Sequence, residues 1–202
     1  MSKRQKTIAS GQYQAVVMGV SAGGLLALSK ILPELDADYP LPVLIVQHMR
    51  PDSDGFLWQH LDKLSRVIVK EAEDKEAIQP KTVYIAPPNY HLLVEPNRTL
   101  ALSAEERVNY SRPSIDVLFE TAAEVYQQGL IGVILTGANS DGTMGLKKIK
   151  HYAGLAIVQS PDSAEYDIMP CSAIASVAVD HIVPLAKLGH FLNAIAFGSL
   201  HG

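Results

Sequence analysis

A chain of 202 residues, 48% hydrophobic and 19% charged, has enough apolar material for one α/β domain without metal or disulfide staples. Its net charge of −4 and lack of a basic block argue against nucleic acid or an anionic membrane as the main partner. Cys171 is the only cysteine, which excludes an intrachain disulfide and a cysteine-rich metal site.

Taken in order, the chain opens with MSKRQKTIASGQ, basic and polar but without the apolar centre of a secretory signal. Residues 1–12 are expected to be a flexible segment and 13–202 a single domain. No stretch reaches the roughly 18 apolar residues of a membrane span, so a soluble cytoplasmic protein without direct membrane insertion is expected. Ala15–Gly19 reads as a buried strand, followed by a helix over Gly23–Leu32. Val43–Gln47 is a second strand, Gly55–Ser65 a helix and Val67–Val69 a short strand. Thr82–Ala86, His91–Glu95 and Thr99–Ser103 are short strands separated by the turn-forming PPNY and PNR. They predict an antiparallel excursion of the same sheet at about residues 82–103.

Ser114–Gln128 is the best helix, with Pro113 at its start and Ile115, Leu118, Ala122, Val125 and Tyr126 on one face. Ile131–Thr136, Leu155–Gln159 and His181–Val183 complete the strands, each followed by a helix, the last over about Leu185–Phe197. Alternation of β and α segments, with strands apolar on both faces, implies a mostly parallel sheet covered by helices. Cys171 beside Met169, Pro170 and Ala173 reads as a packing residue.

Ligands of open α/β sheets bind beyond the carboxyl ends of the strands. Those ends here carry Gly19-Val20-Ser21-Ala22-Gly23-Gly24, Gln47-His48 and Gly137-Ala138-Asn139-Ser140-Asp141-Gly142. A serine, a histidine and an aspartate therefore converge on one rim, the three side-chain types that an activated serine needs. Ser21 sits at a strand-to-helix turn where Gly19 and Gly23 remove colliding Cβ atoms; its competing readings are an N-cap serine or a phosphate loop. His48 follows Ser21 by 27 residues, about one βαβ unit, and His91 is the rival base. Asp141 also reads as an N-cap of the helix behind it, a role in which Asn would serve as well. Asp116 and Asp162 are weaker alternatives, Asp116 because a first-turn acid is expected anyway.

Together, VVMGVSAGGLLAL, LIVQHM, VYIAPPNYHL, RPSIDVLF, GVILTGANSDGTMG and MPCSAIA resemble the catalytic domain of the bacterial chemotaxis protein-glutamate methylesterases, the CheB family, over about residues 15–196. The resemblance implies a doubly wound, Rossmann-like sheet and a cofactor-free, metal-free serine hydrolase. Its triad falls on Ser21, His48 and Asp141, with Ala22, Gly23, Met49, Ala138 and Asn139 as oxyanion or cleft residues. The implied reaction is demethylation of glutamate methyl esters on methyl-accepting receptors, with glutamine deamidation as a second activity. Where the family usually reads Gly-Met-Gly-x-Asp-Gly, this chain has Gly137-Ala138-Asn139-Ser140-Asp141-Gly142. The short segment before Ala15 leaves no room for a receiver domain in the chain as given, so control is expected from a separate regulatory protein or from substrate localisation. A general α/β-hydrolase esterase is the rival enzyme, but its triad runs Ser…Asp…His. A degenerate esterase fold used as a partner-binding module is the rival from another class.

Overall fold

The computed structural model describes residues 13–50 and 52–199; the segment 1–12, expected to be flexible, lies outside the described residues. Nine strands and six α-helices follow one another as β1 (Ala15–Val20), α1 (Gly24–Ile31), β2 (Val43–Gln47), α2 (Phe56–Leu64), β3 (Ile68–Glu71), β4 (Thr82–Ile85), β5 (His91–Val94), β6 (Leu100–Ser103), α3 (Ile115–Tyr126), β7 (Leu130–Ile134), α4 (Thr143–His151), β8 (Leu155–Gln159), α5 (Ile168–Ser176), β9 (His181–Val183) and α6 (Leu185–Ala196) among the described residues. Seven strands form one sheet in the order β3-β4-β2-β1-β7-β8-β9, and each neighbouring pair is parallel.

Both faces of the sheet are buried, as the continuous apolar runs require. Val16, Met18 and Val20 of β1, with Val43 and Ile45 of β2, join the cluster that holds Leu28, Leu61 and Leu188 of α1, α2 and α6. Their alternating neighbours Ala15, Val17, Leu44 and Val46 face the opposite cluster, with Phe119, Leu146 and Met169 of α3, α4 and α5. Helices on both sides make the sheet doubly wound.

The antiparallel part is narrower than the sequence suggested. β4 lies inside the parallel sheet between β3 and β2, and only β5 and β6 pair antiparallel, as a separate two-stranded unit. The connection from β3 to β4 contains no helix, which removed the sequence signal of a parallel crossover. Its backbone is satisfied instead by the β5–β6 hairpin, through Lys75 N–H to Leu100 O (2.9 Å) and Leu100 N–H to Glu76 O (2.8 Å). Cys171 is exposed, contrary to the packing role expected of it. α5 buries Met169, Pro170 and Ala173, and the residue two positions beyond Met169 points to the other side of a helix.

Where β1 passes under the start of α3, the backbone of Gly19 meets the Ile115 side chain, and a Cβ at Gly19 would overlap Ile115 Cγ2. The sheet and α3 thus approach at a distance that only glycine permits. Gly19→Ala is expected to cost about 1–3 kcal/mol by overpacking, read as a lower midpoint in urea unfolding. An unchanged midpoint would mean that α3 is free to shift.

Candidate active site

β1 is the centre of the rim: β2 lies on one side of it and β7 on the other. The turn after β1 presents Ser21, the end of β2 presents His48, and the loop after β7 presents Asp141. Backbone bonds carry the strand register into these turns, from Ser21 N–H to Thr136 O and from His48 N–H to Val20 O, both 3.0 Å. Gly23 adopts φ +80, and a side chain there would collide with Glu165 and Thr136. The Thr136 hydroxyl donates to Ala22 O at 2.9 Å and receives Tyr166 N–H at 2.9 Å, holding the serine turn against the loop before α5. Gln47 donates from Nε2 to both Ser21 O (2.9 Å) and His48 O (2.8 Å), joining the two turns beneath the site.

The three side chains meet. Ser21 Oγ lies 3.2 Å from His48 Nδ1, and His48 Nε2 lies 2.8 Å from Asp141 Oδ2. The His48 side chain is 12% exposed and that of Asp141 fully buried. An ionised carboxylate only accepts, so the ring carries its hydrogen on Nε2 and leaves Nδ1 free to accept from the serine hydroxyl.

Asp141 does more than face His48. Its carboxylate also accepts from Ile115 N–H (2.7 Å), Asp116 N–H (3.2 Å), the Ser114 hydroxyl (3.0 Å), Asn109 Nδ2 (3.0 Å) and Gly142 N–H (3.1 Å). The helix it caps is therefore α3, with Ser114 in the N-cap position, while the N-cap of α4 behind it is Gly142. The capping reading of Asp141 was right in kind and named the wrong helix. Burial works to raise this carboxyl, and the hydrogen bonds from His48, Asn109 and Ile115 outweigh it, holding it below the usual carboxylate range.

The sequence marks Asp116 only as a weaker alternative and gives no sign of Asn109. Asp116 is buried beside Asp141, accepting Gly145 N–H at 2.7 Å and Asn109 Nδ2 at 2.8 Å. One Asn109 amide nitrogen thus bridges two carboxylates. Burial, with the charge of Asp141 adding to it, pushes the Asp116 carboxyl up to about 6. No periodic or spacing signal marks Asn109, which reaches the site from a turn in which it and Tyr110 both have positive φ. His91, the rival base, is remote from Ser21 in function: it is buried, accepts Ser114 N–H at Nδ1 (3.2 Å) and donates from Nε2 to Glu106 O (2.9 Å). It props the start of α3.

Of the expected cleft residues, Ala22 and Gly23 lead into α1, and their N–H groups have no acceptor among the described residues. Met49 lines both a cleft of about 490 Å³ beside Ser21 and a smaller one of about 110 Å³ beside His48. Leu25, Leu26 and Phe56 are exposed on the wall of the larger cleft. Ala138 is exposed. Asn139 reaches the triad itself, with Nδ2 3.2 Å from His48 Nδ1.

Comparison with known proteins gives the family. The family model described as CheB methylesterase matches residues 16–192. A Leptospira interrogans protein, provisionally named as a protein-glutamate methylesterase/protein-glutamine glutaminase, is 57% identical over 176 residues, covering 87% of this chain and 91% of that protein. The Thermotoga maritima protein-glutamate methylesterase/protein-glutamine glutaminase is 38% identical over 176 residues, 86% of this chain but 51% of that protein, so the chain spans about half its length. The crystal structure of the Thermotoga maritima CheB methylesterase catalytic domain superposes with a TM-score of 0.84 at 37% identity, covering 89% of this chain and 97% of that one. With a match that runs from β1 into α6, the chain belongs to the CheB methylesterase family.

Proposed function

We propose that the chain hydrolyses glutamate methyl esters on methyl-accepting chemoreceptor proteins through Ser21, His48 and Asp141, with deamidation of glutamine side chains as a second activity. The observation that carries this reading is the continuous chain from Ser21 Oγ through His48 to the buried Asp141 carboxylate, at 3.2 and 2.8 Å. His48 takes the Ser21 proton on Nδ1 as the oxygen attacks the ester carbonyl. Protonated His48 then delivers that proton to methoxide, which leaves poorly without an acid. The N–H groups of Ala22 and Gly23 stabilise the tetrahedral oxyanion, each such donor being worth about 10²–10³ in rate. Water, deprotonated by the same nitrogen, frees the glutamate. No step calls for a metal or an organic cofactor. A glutamine amide matches the ester in shape and enters the same sequence with ammonia as the leaving group.

Substrate reaches Ser21 across the wall formed by Leu25, Leu26 and Phe56, exposed apolar side chains beside a wide cleft. A separate regulatory protein covering this rim, and a cytoplasmic location facing receptor tails, belong to the same proposal. No helix among the described residues is long and apolar enough to cross a membrane.

Ser21→Ala and His48→Ala are each expected to lower methanol release from methylated receptor by about 10³ or more, with the double variant little worse than either. A folded Ser21→Ala protein at near-wild-type rate would remove Ser21 from the reaction. Asp141→Asn should reduce the rate by up to about 10⁴. It should also cost about 2–5 kcal/mol, because an amide nitrogen would face donors that now meet a carboxylate. Rate per folded molecule and the urea midpoint separate the two losses; a neutral effect on stability would contradict the clamp at the head of α3.

Asp116 supplies a pH test. Its folded-state carboxyl is raised from 3.8 to about 6, so between those values the native state binds a proton that the unfolded chain does not. Stability then declines as pH rises through that window and stays lowered above it. Asp116→Asn cannot ionise and escapes the decline. The variant should gain on the wild type by about 1 kcal/mol between pH 5 and pH 7.5, measured by urea unfolding. Parallel curves would show that burial does not raise the Asp116 carboxyl.

A further inference from the structure

One contact at the base has no part in the serine-to-aspartate chain. Asn139 Nδ2 lies 3.2 Å from His48 Nδ1, the nitrogen that also faces Ser21 Oγ at 3.2 Å. The other end of the amide is fixed, since Asn139 Oδ1 accepts Asp141 N–H at 3.1 Å. A side-chain amide whose oxygen is held by an N–H must present its NH₂ to the ring. The ring's own hydrogen is committed to Asp141, so Nδ1 has one lone pair and two donors aimed at it.

We propose that Asn139 is a positioning residue that keeps the base nitrogen of His48 unprotonated in the resting enzyme, and so sets how far into acid the hydrolase works. The proposal rests on the triad reading above. While Nδ1 is bare, Asn139 donates to it. Once Nδ1 takes a proton from solvent, the contact becomes donor against donor. Turning the amide over to offer its oxygen would leave Asp141 N–H facing an NH₂ group. The imidazolium is disfavoured by either route, and the Nε2–H form that can receive the Ser21 proton is retained.

The charged neighbours of His48 do not duplicate this effect. Asp141 contacts Nε2 only, and Asp116 lies behind it. Arg107, Tyr110 and Arg112 line the small cleft with His48, and Asp54 and Glu165 line the large one with Ser21. Among the described residues only Ser21 and Asn139 hydrogen-bond to Nδ1.

The test compares wild type, Asn139→Ala and Asn139→Asp in two measurements. One is the pH–rate profile of kcat/KM on a small neutral ester, which needs no receptor docking. The other is a ¹⁵N NMR titration of His48, which needs no turnover. The acid limb of the Asn139→Ala profile should move to higher pH by about half to one unit, the size expected for one neutral hydrogen bond. Asn139→Asp should move it further, because a carboxylate keeps the Asp141 N–H bond and accepts from a protonated Nδ1. The NMR midpoint should move in step. An unmoved NMR midpoint in both variants overturns the proposal. So does a plateau loss of about a hundredfold with an unmoved acid limb, which is the signature of an oxyanion donor. A wild-type protein without esterase activity would defeat the triad reading, and the NMR titration would still decide the role of Asn139.

Discussion

The buried carboxylate of Asp141 is the constraint on which the rest of the site depends. A charge removed from water is strongly unfavourable unless hydrogen bonds replace its hydration. Here they come from four parts of the chain: His48, the Asn109 turn, the first residues of α3 and the adjoining Gly142. The opening turn of a helix offers unpaired N–H groups and a positive dipole end, which suits an anion. The same set of bonds therefore orients the imidazole and docks α3 on the sheet. Gly19 completes the arrangement from below, because the Ile115 backbone can reach Asp141 only if the Ile115 side chain has room over β1.

The place of this anion follows from the topology. β1 sits between β2 and β7, so the chain leaves it toward one edge and later returns on its other side toward the opposite edge. Helices diverge at such a point and leave a crevice at the carboxyl ends of the strands. Three neighbouring strands deliver the serine, the histidine and the aspartate into one crevice from separate turns. Gln47 then ties two of those turns by their carbonyls. None of the three proposed triad side chains depends on a long loop for its position.

Much of this was legible in the sequence, for identifiable reasons. Strands buried on both faces are continuous apolar runs, so β1, β2, β7 and β8 stood out, and the residues that follow such runs were the natural place to look for Ser21, His48 and Asp141. What was not legible was non-local. Asp141-Gly142 looks like the cap of the next helix because sequence reading weighs near neighbours, yet the carboxylate turns to a helix start 26 residues upstream. Asp116 looked like an ordinary first-turn acid, and nothing in its spacing tells that the first turn of α3 is buried beside another carboxylate. The Pro-Pro-Asn-Tyr turn after β4 resembled a hairpin, and only the pairing of β4 with β2 and β3 assigns that strand to the parallel sheet.

The two halves of the proposed triad are built to different tolerances, and that difference suits the proposed chemistry. The His48–Asp141 end is short, buried and held by neighbouring bonds, so the ring has one orientation and one tautomer. The Ser21–His48 end is longer, half-buried and beside an open cleft, and such bonds commonly tighten only when substrate is in place. In the proposed reaction, a base that takes a proton from Ser21 and hands it to a leaving group needs a fixed ring and an Nδ1 that the serine hydroxyl can reach. The Asn139 amide approaches that same nitrogen from a loop held by Asp141's own N–H. The anchor of the site thus reaches the reacting end by two routes, through the imidazole and through the loop. A change at Asp141 is felt at Ser21 along both.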